Sequence, residues 1–374
     1  MYSKFRVIND SNSETFTHFT APLIQWYRAN KRDLPWRNTH DPYKIWVSEI
    51  MLQQTRVDQA KPYYEKFLKH FPDVQSLADA PRQDLLRIWE GLGYYSRARN
   101  MQDAAKQIVA DFDGKFPDNY DDLLPLKGVG PYTAAAISSI AYGIPKAVVD
   151  GNVIRVLSRW NGIEDDVRKT GTQKQIQEIA DSCIDPENPS DFNQGMMELG
   201  AVICLPKNPL CGECPVANGC AALQMVRTDS IPYKSKKKKT PHHQIAVGIC
   251  VNAAGEVLIA LRPEDKMLGG FWEFPGGKIE KGESAEEAVF RELREELAVG
   301  TEVHPKKIIE IKHAYSHFKI TMHAYFCRIK DGIPKPKESR EIKWVNVDEL
   351  QDYPFPKANR KLTEAIQELD SLPF

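Results

Sequence analysis

The sequence predicts two folded parts of different class, an all-α domain followed by an α+β domain. From about residue 15 to 225, apolar residues recur at helical spacing between Gly, Pro and Asp positions, most clearly in 42–59, 83–88, 98–112 and 172–183. Beyond His242 the pattern changes to short apolar runs typical of strands. We therefore expect an N-terminal extension at 1–14, a helical domain at 15–228, a linker at 229–241 and an α+β domain at 242–374.

The bulk composition is that of a globular protein with more than one domain. The chain has 374 residues, a formal net charge of −1, 42% hydrophobic and 27% charged residues. The near-zero net charge does not itself indicate a nucleic-acid partner, although a basic face can lie beside acidic regions. We find no signal peptide or membrane-spanning run, so we expect a cytoplasmic protein without a membrane partner.

Four cysteines lie within seventeen residues at the end of the helical part. Cys204, Cys211, Cys214 and Cys220 are separated by six, two and five residues, with Pro and Gly between them. In a reducing compartment, thiols at this density indicate a metal centre rather than disulfides. Zinc and an iron–sulfur cluster both accept four thiolates. A zinc ribbon usually has two Cys-x2-Cys pairs, and only one such pair is present here.

The expected elements of the α+β part follow from its apolar runs. A hairpin is predicted from 245–251 and 257–261, with a turn at 252–256. Further strands are predicted at 308–311, 320–329 and 342–347, and helices at 284–297 and 357–369. The linker before them is basic and bounded by prolines, which suits either a solvated tether or a segment lying along a phosphate backbone.

Two glycines and an aspartate mark helix starts in the first part. Gly128 and Gly130 flank Val129 directly before an apolar helical run, so backbone N–H groups at that helix start can approach a phosphate oxygen closely. Asp150 ends an apolar run at a second helix start. Taken alone, Asp150 is a typical N-cap residue.

The order of these motifs resembles the endonuclease III superfamily of DNA glycosylases. A helix–hairpin–helix glycine turn, then Val-Asp-Gly-Asn, then the four cysteines follow one another across residues 15–225. Within that superfamily the chain is similar to MutY-type adenine DNA glycosylases. The stretches that carry this similarity are Leu-Pro-Trp-Arg at 34–37, Val-Ser-Glu-Ile-Met-Leu-Gln-Gln-Thr at 47–55, Glu-Gly-Leu-Gly-Tyr-Tyr-Ser-Arg-Ala at 90–98 and Phe-Asn-Gln-Gly-Met-Met-Glu-Leu-Gly-Ala at 192–201.

The resemblance implies a catalytic set. Glu49, in an apolar helical stretch, matches the acid that protonates adenine, and Asp150 matches the carboxylate that stabilises or captures the sugar cation. Tyr132 and Asn152 match residues that orient these groups. Lyase-type relatives carry a lysine in place of Tyr132, so the resemblance implies base removal without efficient strand cleavage. An endonuclease III-like lyase and a non-enzymatic damage-binding protein are the alternatives.

The resemblance also implies a DNA-binding surface and a cofactor. Gln54 and Tyr94 match residues that wedge into the duplex near the target pair, and Leu52 lies close by. Phosphate contacts are expected at Gly128, Gly130, Arg32, Arg37 and Lys207. A [4Fe–4S] cluster is expected on the four cysteines. The implied partner is duplex DNA with an 8-oxoguanine:adenine or guanine:adenine pair, bound by a monomer at the nucleoid.

The α+β part resembles the MutT-like Nudix-fold domain of the same family. Residues 277–297 follow the Nudix box, except that Ala298 replaces its last glycine. Glu292, Glu295 and Glu296 lie on one helical face, where a Mg2+ ion would relieve their repulsion. Ser316 and His317 match the family's 8-oxoguanine-reading motif. The domain is therefore expected to read the lesion, with a pyrophosphohydrolase acting on oxidised nucleotides as the alternative.

Overall fold

The computed structural model describes residues 16–236, 240–315 and 318–373. Within them the chain forms two compact units: 16–78 with 100–236, and 79–99 with 240–315 and 318–373. The first unit is helical and the second combines strands with helices, as the sequence predicts. In the part of the chain that the structure describes, no helix has both the length and the apolarity needed to cross a bilayer.

The first unit is built from helices joined by short turns. Its main helices are α1 (Ala21–Asn30), α2 (Pro42–Leu52), α3 (Val57–His70), α4 (Val74–Asp79), α6 (Ser96–Asp111), α7 (Tyr120–Leu123), α8 (Pro131–Tyr142), α9 (Gly151–Asn161), α10 (Thr170–Cys183), α11 (Pro189–Val202) and α12 (Ala221–Gln224). Of α6, residues 100–111 belong to this unit and residues 96–99 to the second unit. Apolar side chains of α1, α9, α10 and α11 form a buried core that includes Leu23, Leu157 and Phe192. The cysteine loop follows α11 directly.

One helix boundary differs from the prediction. The sequence favours a continuous helix over 42–59, but α2 ends at Leu52 and α3 begins at Val57. Asp41 begins α2 by accepting the backbone N–H of Tyr43 at 2.9 Å. The break occurs because Gln54 has a left-handed backbone with φ of 57°. The turn places Gln53 and Gln54 at the rim of a cavity rather than within a helix.

Local sequence fixes the two helix starts that face this cavity. Gly128 has φ of 75°, and a Cβ there would lie 2.7 Å from the Cβ of Asn100, so only glycine fits the turn before α8. Gly130 is the N-cap of α8, and the space beside it is open. Asp150 is the N-cap of α9, where its side chain accepts the backbone N–H groups of Asn152 and Val153. These caps orient both helix N-termini.

The second unit contains two sheets. Its elements are α5 (Arg82–Trp89), β1 (His242–Cys250), β2 (Val257–Leu261), β3 (Trp272–Glu273), β4 (Gly276–Lys278), α13 (Ala285–Leu297), β5 (Gly300–Ala314), β6 (Lys319–Asp331), β7 (Glu341–Val345) and α14 (Lys357–Gln367). One sheet has the order β4-β1-β6-β5, with β1 parallel to β6, and the other has the order β3-β2-β7. A core of buried side chains, including Ile249, Phe274 and Phe355, joins the sheets and α14. Residues of α13 pack in a second core with Ala246 and Cys327.

The predicted hairpin between β1 and β2 is found at its turn but not along its strands. The Asn252 backbone N–H donates to the carbonyl of Glu256 at 3.0 Å and Val251 forms an antiparallel bridge with Val257, whereas β1 and β2 themselves lie in different sheets. Both strands are central: β1 lies between β4 and β6, and β2 lies between β3 and β7. All residues of β2 are buried, which is the pattern of a strand covered on both faces. An apolar run of this length does not reveal which neighbour the strand pairs with.

Candidate active site

The first unit contains a cavity of about 750 Å3. Its walls come from α2, the turn before α8, the N-termini of α8 and α9, and α11. All four residues predicted to be catalytic line it: Glu49, Tyr132, Asp150 and Asn152. The predicted DNA contacts Leu52, Gln54, Gly128, Gly130, Arg32 and Arg37 line it too. The fold therefore gathers residues from five separate stretches of sequence around one cavity.

Glu49 is a buried carboxyl group held by a phenol. Its side chain is 5% exposed, and the Tyr132 hydroxyl donates to Glu49 Oε2 at 2.8 Å. Burial raises the pKa of Glu49 to about 7; the Tyr132 hydrogen bond and the charge of Arg37 lower it, and the charge of Asp150 raises it. Near neutral pH this carboxyl group is therefore partly protonated. Burial also raises the pKa of Tyr132 well above its usual value, so the phenol stays neutral.

Asp150 is held in one orientation by the start of α9. Its Oδ1 accepts the backbone N–H of Asn152 at 2.8 Å and of Val153 at 2.7 Å, and its Oδ2 accepts the side-chain amide of Asn152 at 3.0 Å. Burial raises the pKa of Asp150, and these hydrogen bonds oppose that effect. The helix N-terminus also favours a negative charge at this position. Asp150 is thus a fixed carboxylate on the cavity wall.

A buried ion network, which the sequence reasoning missed, lines the same cavity. The Glu198 side chain is fully buried and accepts hydrogen bonds from Arg32 at 2.6 and 2.8 Å and from Arg37 at 2.6 Å. Burial alone would raise the pKa of Glu198, but the two guanidinium groups lower it to about 2. The sequence signal was an acid in an apolar helical stretch, as for Glu49. The Arg37 side chain is buried and the Arg32 side chain is partly exposed, and both are paired with Glu198, so their contact with phosphate stays a prediction.

The remaining predicted DNA contacts lie in different places. Leu52 is half-buried and Gln54 is exposed at the cavity rim. Trp36 and Gln194, which the sequence analysis did not single out, also line the cavity. Lys207 is exposed on the cysteine loop. Tyr94 belongs to the second unit, where its side chain is 38% exposed.

The four cysteines surround one small space. Cys204, Cys211, Cys214 and Cys220 line a cavity of about 30 Å3 together with Arg159. Burial, together with the neighbouring thiols, raises the pKa of the Cys214 thiol to about 12, so the group needs an added positive charge to ionise. Arg159 Nη1 lies 3.3 Å from Cys204 Sγ and supplies part of that charge. Four half-buried cysteines around a shared space suit a thiolate-bound metal cluster.

Arg155 joins the cysteine loop to the catalytic cavity. Its guanidinium donates to the carbonyl of Cys204 at 2.7 Å, to the carbonyl of Gly200 at 2.7 Å and to Asn152 Oδ1 at 2.7 Å. Asn152 in turn donates to Asp150. A Cβ added to Gly200 would lie 2.5 Å from the Cβ of Asn152, so the backbone approaches closely here. The loop and the Asp150 side chain therefore share one hydrogen-bonded network.

In the second unit, the carboxylates of the Nudix-like helix are linked to an arginine. Arg291 donates to Glu283 at 2.8 Å, to Glu292 at 2.9 Å and to Glu295 at 3.3 Å. Burial and the nearby charge of Glu273 raise the pKa of Glu296 to about 8. Among residues 16–236, 240–315 and 318–373, no three His, Cys, Asp or Glu side chains are arranged to hold a metal ion. This result covers the Nudix-like carboxylates and the cysteines alike.

The predicted lesion contacts, Ser316 and His317, lie outside the described residues. Their neighbours are described. The Tyr315 ring lies 4.6 Å from the His313 ring and 4.9 Å from the Phe318 ring, measured between centroids. Tyr315 and Phe318 pack against the core between the two sheets. Both ends of this loop are therefore anchored by aromatic packing.

Comparison with known families divides the chain in the same way as its sequence motifs. Residues 47–182 match the HhH-GPD superfamily of base excision DNA repair proteins. Residues 204–220 match the iron–sulfur binding domain of endonuclease III, which favours an iron–sulfur cluster over zinc. Residues 246–365 match the NUDIX domain family. The predicted helix–hairpin–helix, iron–sulfur and Nudix-like regions are thereby confirmed.

Relatives and solved structures agree with these matches. The chain is 32% identical over 407 residues to the adenine DNA glycosylase of Homo sapiens, covering 94% of this chain and 74% of that protein. It is 32% identical over 347 residues to the adenine DNA glycosylase of Buchnera aphidicola, covering 92% and 97%. A solved structure of a thermostable thymine-DNA glycosylase has a TM-score of 0.53 and 28% identity, covering 58% of this chain and 100% of that one.

Proposed function

Because the chain belongs to the adenine DNA glycosylase family, and is thus a DNA N-glycosylase of base-excision repair, we propose how its cavity releases adenine. The observation that carries the proposal is the pair formed by Glu49 and Tyr132 in a buried cavity that also holds Asp150. A base that enters this cavity must leave the duplex stack. The substrate is therefore a flipped adenine.

Glu49 acts first as a general acid. A carboxyl group with a pKa of about 7 is partly protonated at neutral pH and can donate its proton to N7 of adenine. Protonation makes the base a better leaving group, so the N-glycosidic bond breaks with positive charge developing on the sugar. Tyr132 holds the carboxyl group in place through the 2.8 Å hydrogen bond. Glu49, now ionised, then accepts a proton from the attacking water.

Asp150 stabilises the sugar cation. Its charge is fixed by the α9 N-terminus and by Asn152, so little reorganisation is needed when positive charge develops. The division of labour between Glu49 and Asp150 parallels that between the two carboxyl groups of a retaining glycosidase. Whether Asp150 acts through its charge or forms a covalent bond with the sugar, the same carboxylate is required.

We propose that the enzyme is monofunctional. Strand cleavage by a lyase needs an amine that forms a Schiff base with the sugar, and Tyr132 occupies the place of that lysine. Among the described side chains that line the cavity there is no lysine. A neutral phenol cannot replace the amine. The product is therefore an abasic site in an intact strand.

We propose that the opposite base is 8-oxoguanine or guanine. This specificity is supported by the similarity of residues 313–318 to the family's lesion-reading motif and by the anchoring of Tyr315 and Phe318 in the core. Ser316 and His317 are the proposed lesion contacts. The Nudix-like domain then serves recognition rather than hydrolysis.

The chain binds an iron–sulfur cluster, and we propose that it is a [4Fe–4S] cluster held by Cys204, Cys211, Cys214 and Cys220. When bound, the cluster cross-links the four thiolates and fixes the loop that carries Lys207. Base hydrolysis involves no net electron transfer, so the proposed role is structural. Arg159 beside Cys204 favours the thiolate form.

A duplex with one 8-oxoguanine:adenine pair tests the proposal. The purified protein is incubated with it, and the strands are analysed with and without alkali. Breakage at the adenine only after alkali supports a monofunctional glycosylase. Breakage without alkali would contradict the proposed absence of lyase activity, and no adenine release would contradict the proposed reaction.

A second candidate function rests on the Nudix-like helix. Glu292, Glu295 and Glu296 share one helix, and burial with the charge of Glu273 raises the pKa of Glu296, an effect that a bound cation would oppose. Mg2+ on these groups would support hydrolysis of an oxidised nucleoside triphosphate. Mg2+-dependent pyrophosphate release that is lost in Glu295→Gln would support this activity. No release across a panel of nucleotides would exclude it.

A further inference from the structure

The short segment that carries Tyr94 is built into the second unit. Residues 79–99 cluster with the C-terminal strands and helices, although they are separated from them by more than 130 residues of sequence. Tyr94 follows Leu-Gly, and its ring is 38% exposed. We call residues 90–95 the Tyr94 segment. The family resemblance implies that Tyr94 inserts into the duplex near the target pair, and the inference below rests on that role and on the proposed function.

The backbone of the Tyr94 segment has left-handed residues whose conformation neighbouring contacts must stabilise. Gly91, Gly93 and Tyr94 have φ angles of 92°, 76° and 49°. A tyrosine in the left-handed region is strained and persists only where its surroundings fix it. The contacts on either side of the segment therefore determine where the Tyr94 ring points.

Arg97 supports the ring from within the same stretch. Its guanidinium lies 5.3 Å from the Trp89 ring centroid and 5.3 Å from the Tyr94 ring centroid, so both aromatic rings face one cation. Arg97 also donates to the carbonyl of Gly93 at 3.0 Å, and the Trp89 indole donates to the same carbonyl at 3.1 Å. The Tyr94 ring is thus attached to a buried cluster of side chains.

An ion pair holds the segment at its first residue. Arg360 of α14 binds Glu90 with two parallel contacts, Nε to Oε1 at 2.5 Å and Nη2 to Oε2 at 3.0 Å, and each side chain is only 19% exposed. The same guanidinium donates to the carbonyls of Leu350 and Tyr353 at 3.2 and 2.6 Å. A two-point pair of this kind fixes direction as well as distance.

Three further contacts flank the segment, two after Tyr94 and one before it. The Tyr95 ring lies 4.3 Å from the fully buried Phe271 ring, between centroids. Arg99 donates to the carbonyl of Gly269 at 2.9 Å. Gln83 of α5 donates to the carbonyl of Gly270 at 2.9 Å. The residues on both sides of Tyr94 are therefore bound to the part of the chain that follows β2.

We propose that the C-terminal part of the chain positions Tyr94 for insertion into DNA, through Arg360 on Glu90 and Phe271 on Tyr95. Arg360 and Phe271 are positioning residues, since they act through the Tyr94 segment rather than on the substrate. The C-terminal part then has two tasks on one duplex: it carries the proposed lesion-reading residues at 313–318 and it sets the geometry of Tyr94.

A double-mutant cycle on the full chain tests this inference. Arg360→Met keeps the aliphatic stem and removes the ion pair, and Glu90→Gln removes the same pair from its other end. Each is expected to slow adenine release from an 8-oxoguanine:adenine duplex in single turnover by about tenfold, which corresponds to one charged hydrogen bond. In a Tyr94→Ala background neither change should have a further effect, because the side chain being positioned is absent.

A second readout separates positioning from folding. The fluorescence of 2-aminopurine at the target-adenine position reports unstacking when the protein binds, and Arg360→Met should reduce it to the level of Tyr94→Ala. Arg340→Met is the matched control, because Arg340 pairs with Glu264 at 3.6 Å with both side chains well exposed, and it should leave both readouts unchanged.

The outcomes are distinguishable. If the wild-type protein releases no adenine, the proposed function is wrong. If it does, and Arg360→Met and Tyr94→Ala slow release additively, Arg360 acts on overall stability and the inference is wrong. Should Arg360→Met fail to fold, Glu90→Gln answers the same question. Release by Glu90→Gln at the wild-type rate would equally overturn the inference.

Discussion

The hydroxyl of Tyr132 lies 2.8 Å from Oε2 of Glu49 and 3.3 Å from the sulfur of Met197. The phenol has one proton, and the carboxylate is the stronger acceptor, so the hydrogen bond to Glu49 prevails. It favours the ionised form of Glu49, whereas burial favours the neutral form. The balance places the pKa of Glu49 near the pH at which the group must both donate and accept a proton.

The first prediction concerns pH. Because the reaction needs protonated Glu49, single-turnover adenine release should fall as the pH rises through about 7. Tyr132→Phe removes a hydrogen bond that lowers the pKa of Glu49, so this fall should move to higher pH. The rate against pH for both proteins, at saturating enzyme, measures the displacement.

Tyr142→Phe is the control for this experiment. Tyr142 lies on the same helix, α8, and donates to the carbonyl of Phe116 away from the cavity. Its pH profile should match the wild type. A Tyr132→Phe profile with an unmoved midpoint would contradict the coupling between the phenol and Glu49.

The second prediction concerns Glu198. Glu198→Gln leaves the buried Arg37 guanidinium uncompensated, which should destabilise the fold by about 3 kcal/mol. Removing the negative charge also favours ionised Glu49, so the fall in activity should move to lower pH, opposite to Tyr132→Phe. Urea unfolding and the pH profile measure the two effects.

The pH dependence of stability has a definite sign here. Because the folded pKa of Glu198 is about 2, below that of an unfolded carboxyl group, its stabilisation is complete above the unfolded pKa. It is lost as the pH falls toward about 2. Glu178→Gln, at an exposed ion pair on α10, is the control and should change neither the free energy of unfolding nor the pH profile of adenine release. Equal effects of Glu198→Gln and Glu178→Gln on unfolding would contradict the buried network of Glu198 with its two arginines.

The third prediction concerns the close approach of Gly200 to Asn152. Gly200→Ala should displace Asn152 and disturb its hydrogen bond to Asp150, so the rate of base release should fall by about tenfold or more with little change in duplex binding. Gly171→Ala is the matched control, since the space around Gly171 is open. A wild-type rate in Gly200→Ala would show that Asn152 is not needed to orient Asp150.

The fourth prediction concerns the cysteine loop. Cys214→Ala should lower the bound iron and the visible absorption of the cluster. Because Arg155 joins Cys204 to Asn152, the rate of base release should fall as well. The control variant Cys183→Ala, at a buried cysteine outside the loop, should bind as much iron as the wild-type protein. Full iron content in Cys214→Ala would contradict the ligand set.

The sequence predicts which residues line the cavity better than it predicts which strands pair with each other. Glu49 and Asp150 are assigned through the family motifs that contain them, since the local pattern alone predicts only a helix acid and an N-cap. Glu198 leaves the same signal as Glu49 but was missed, since only the folded structure shows that Arg32 and Arg37 converge on it. Its long-range ion pairs span more than 160 residues.

The strand pairing that differs from the predicted hairpin and the broken helix have physical reasons. β2 is buried throughout and β1 is buried over residues 246–250, so their apolar runs do not show that the strands lie in separate sheets. The left-handed backbone at Gln54 ends a helical pattern without a glycine or proline to announce it. The grouping of residues 79–99 with the C-terminal strands depends on contacts such as Arg360 to Glu90, which no local pattern encodes.

The most direct test of the account compares Glu49→Gln with the wild-type protein on a duplex holding one 8-oxoguanine:adenine pair. Free adenine is measured in a single turnover at neutral pH, and duplex affinity is measured on the same samples. The account predicts that the variant binds the duplex as the wild type does but releases no adenine. Release at a near wild-type rate would contradict the assignment of Glu49 as the catalytic acid.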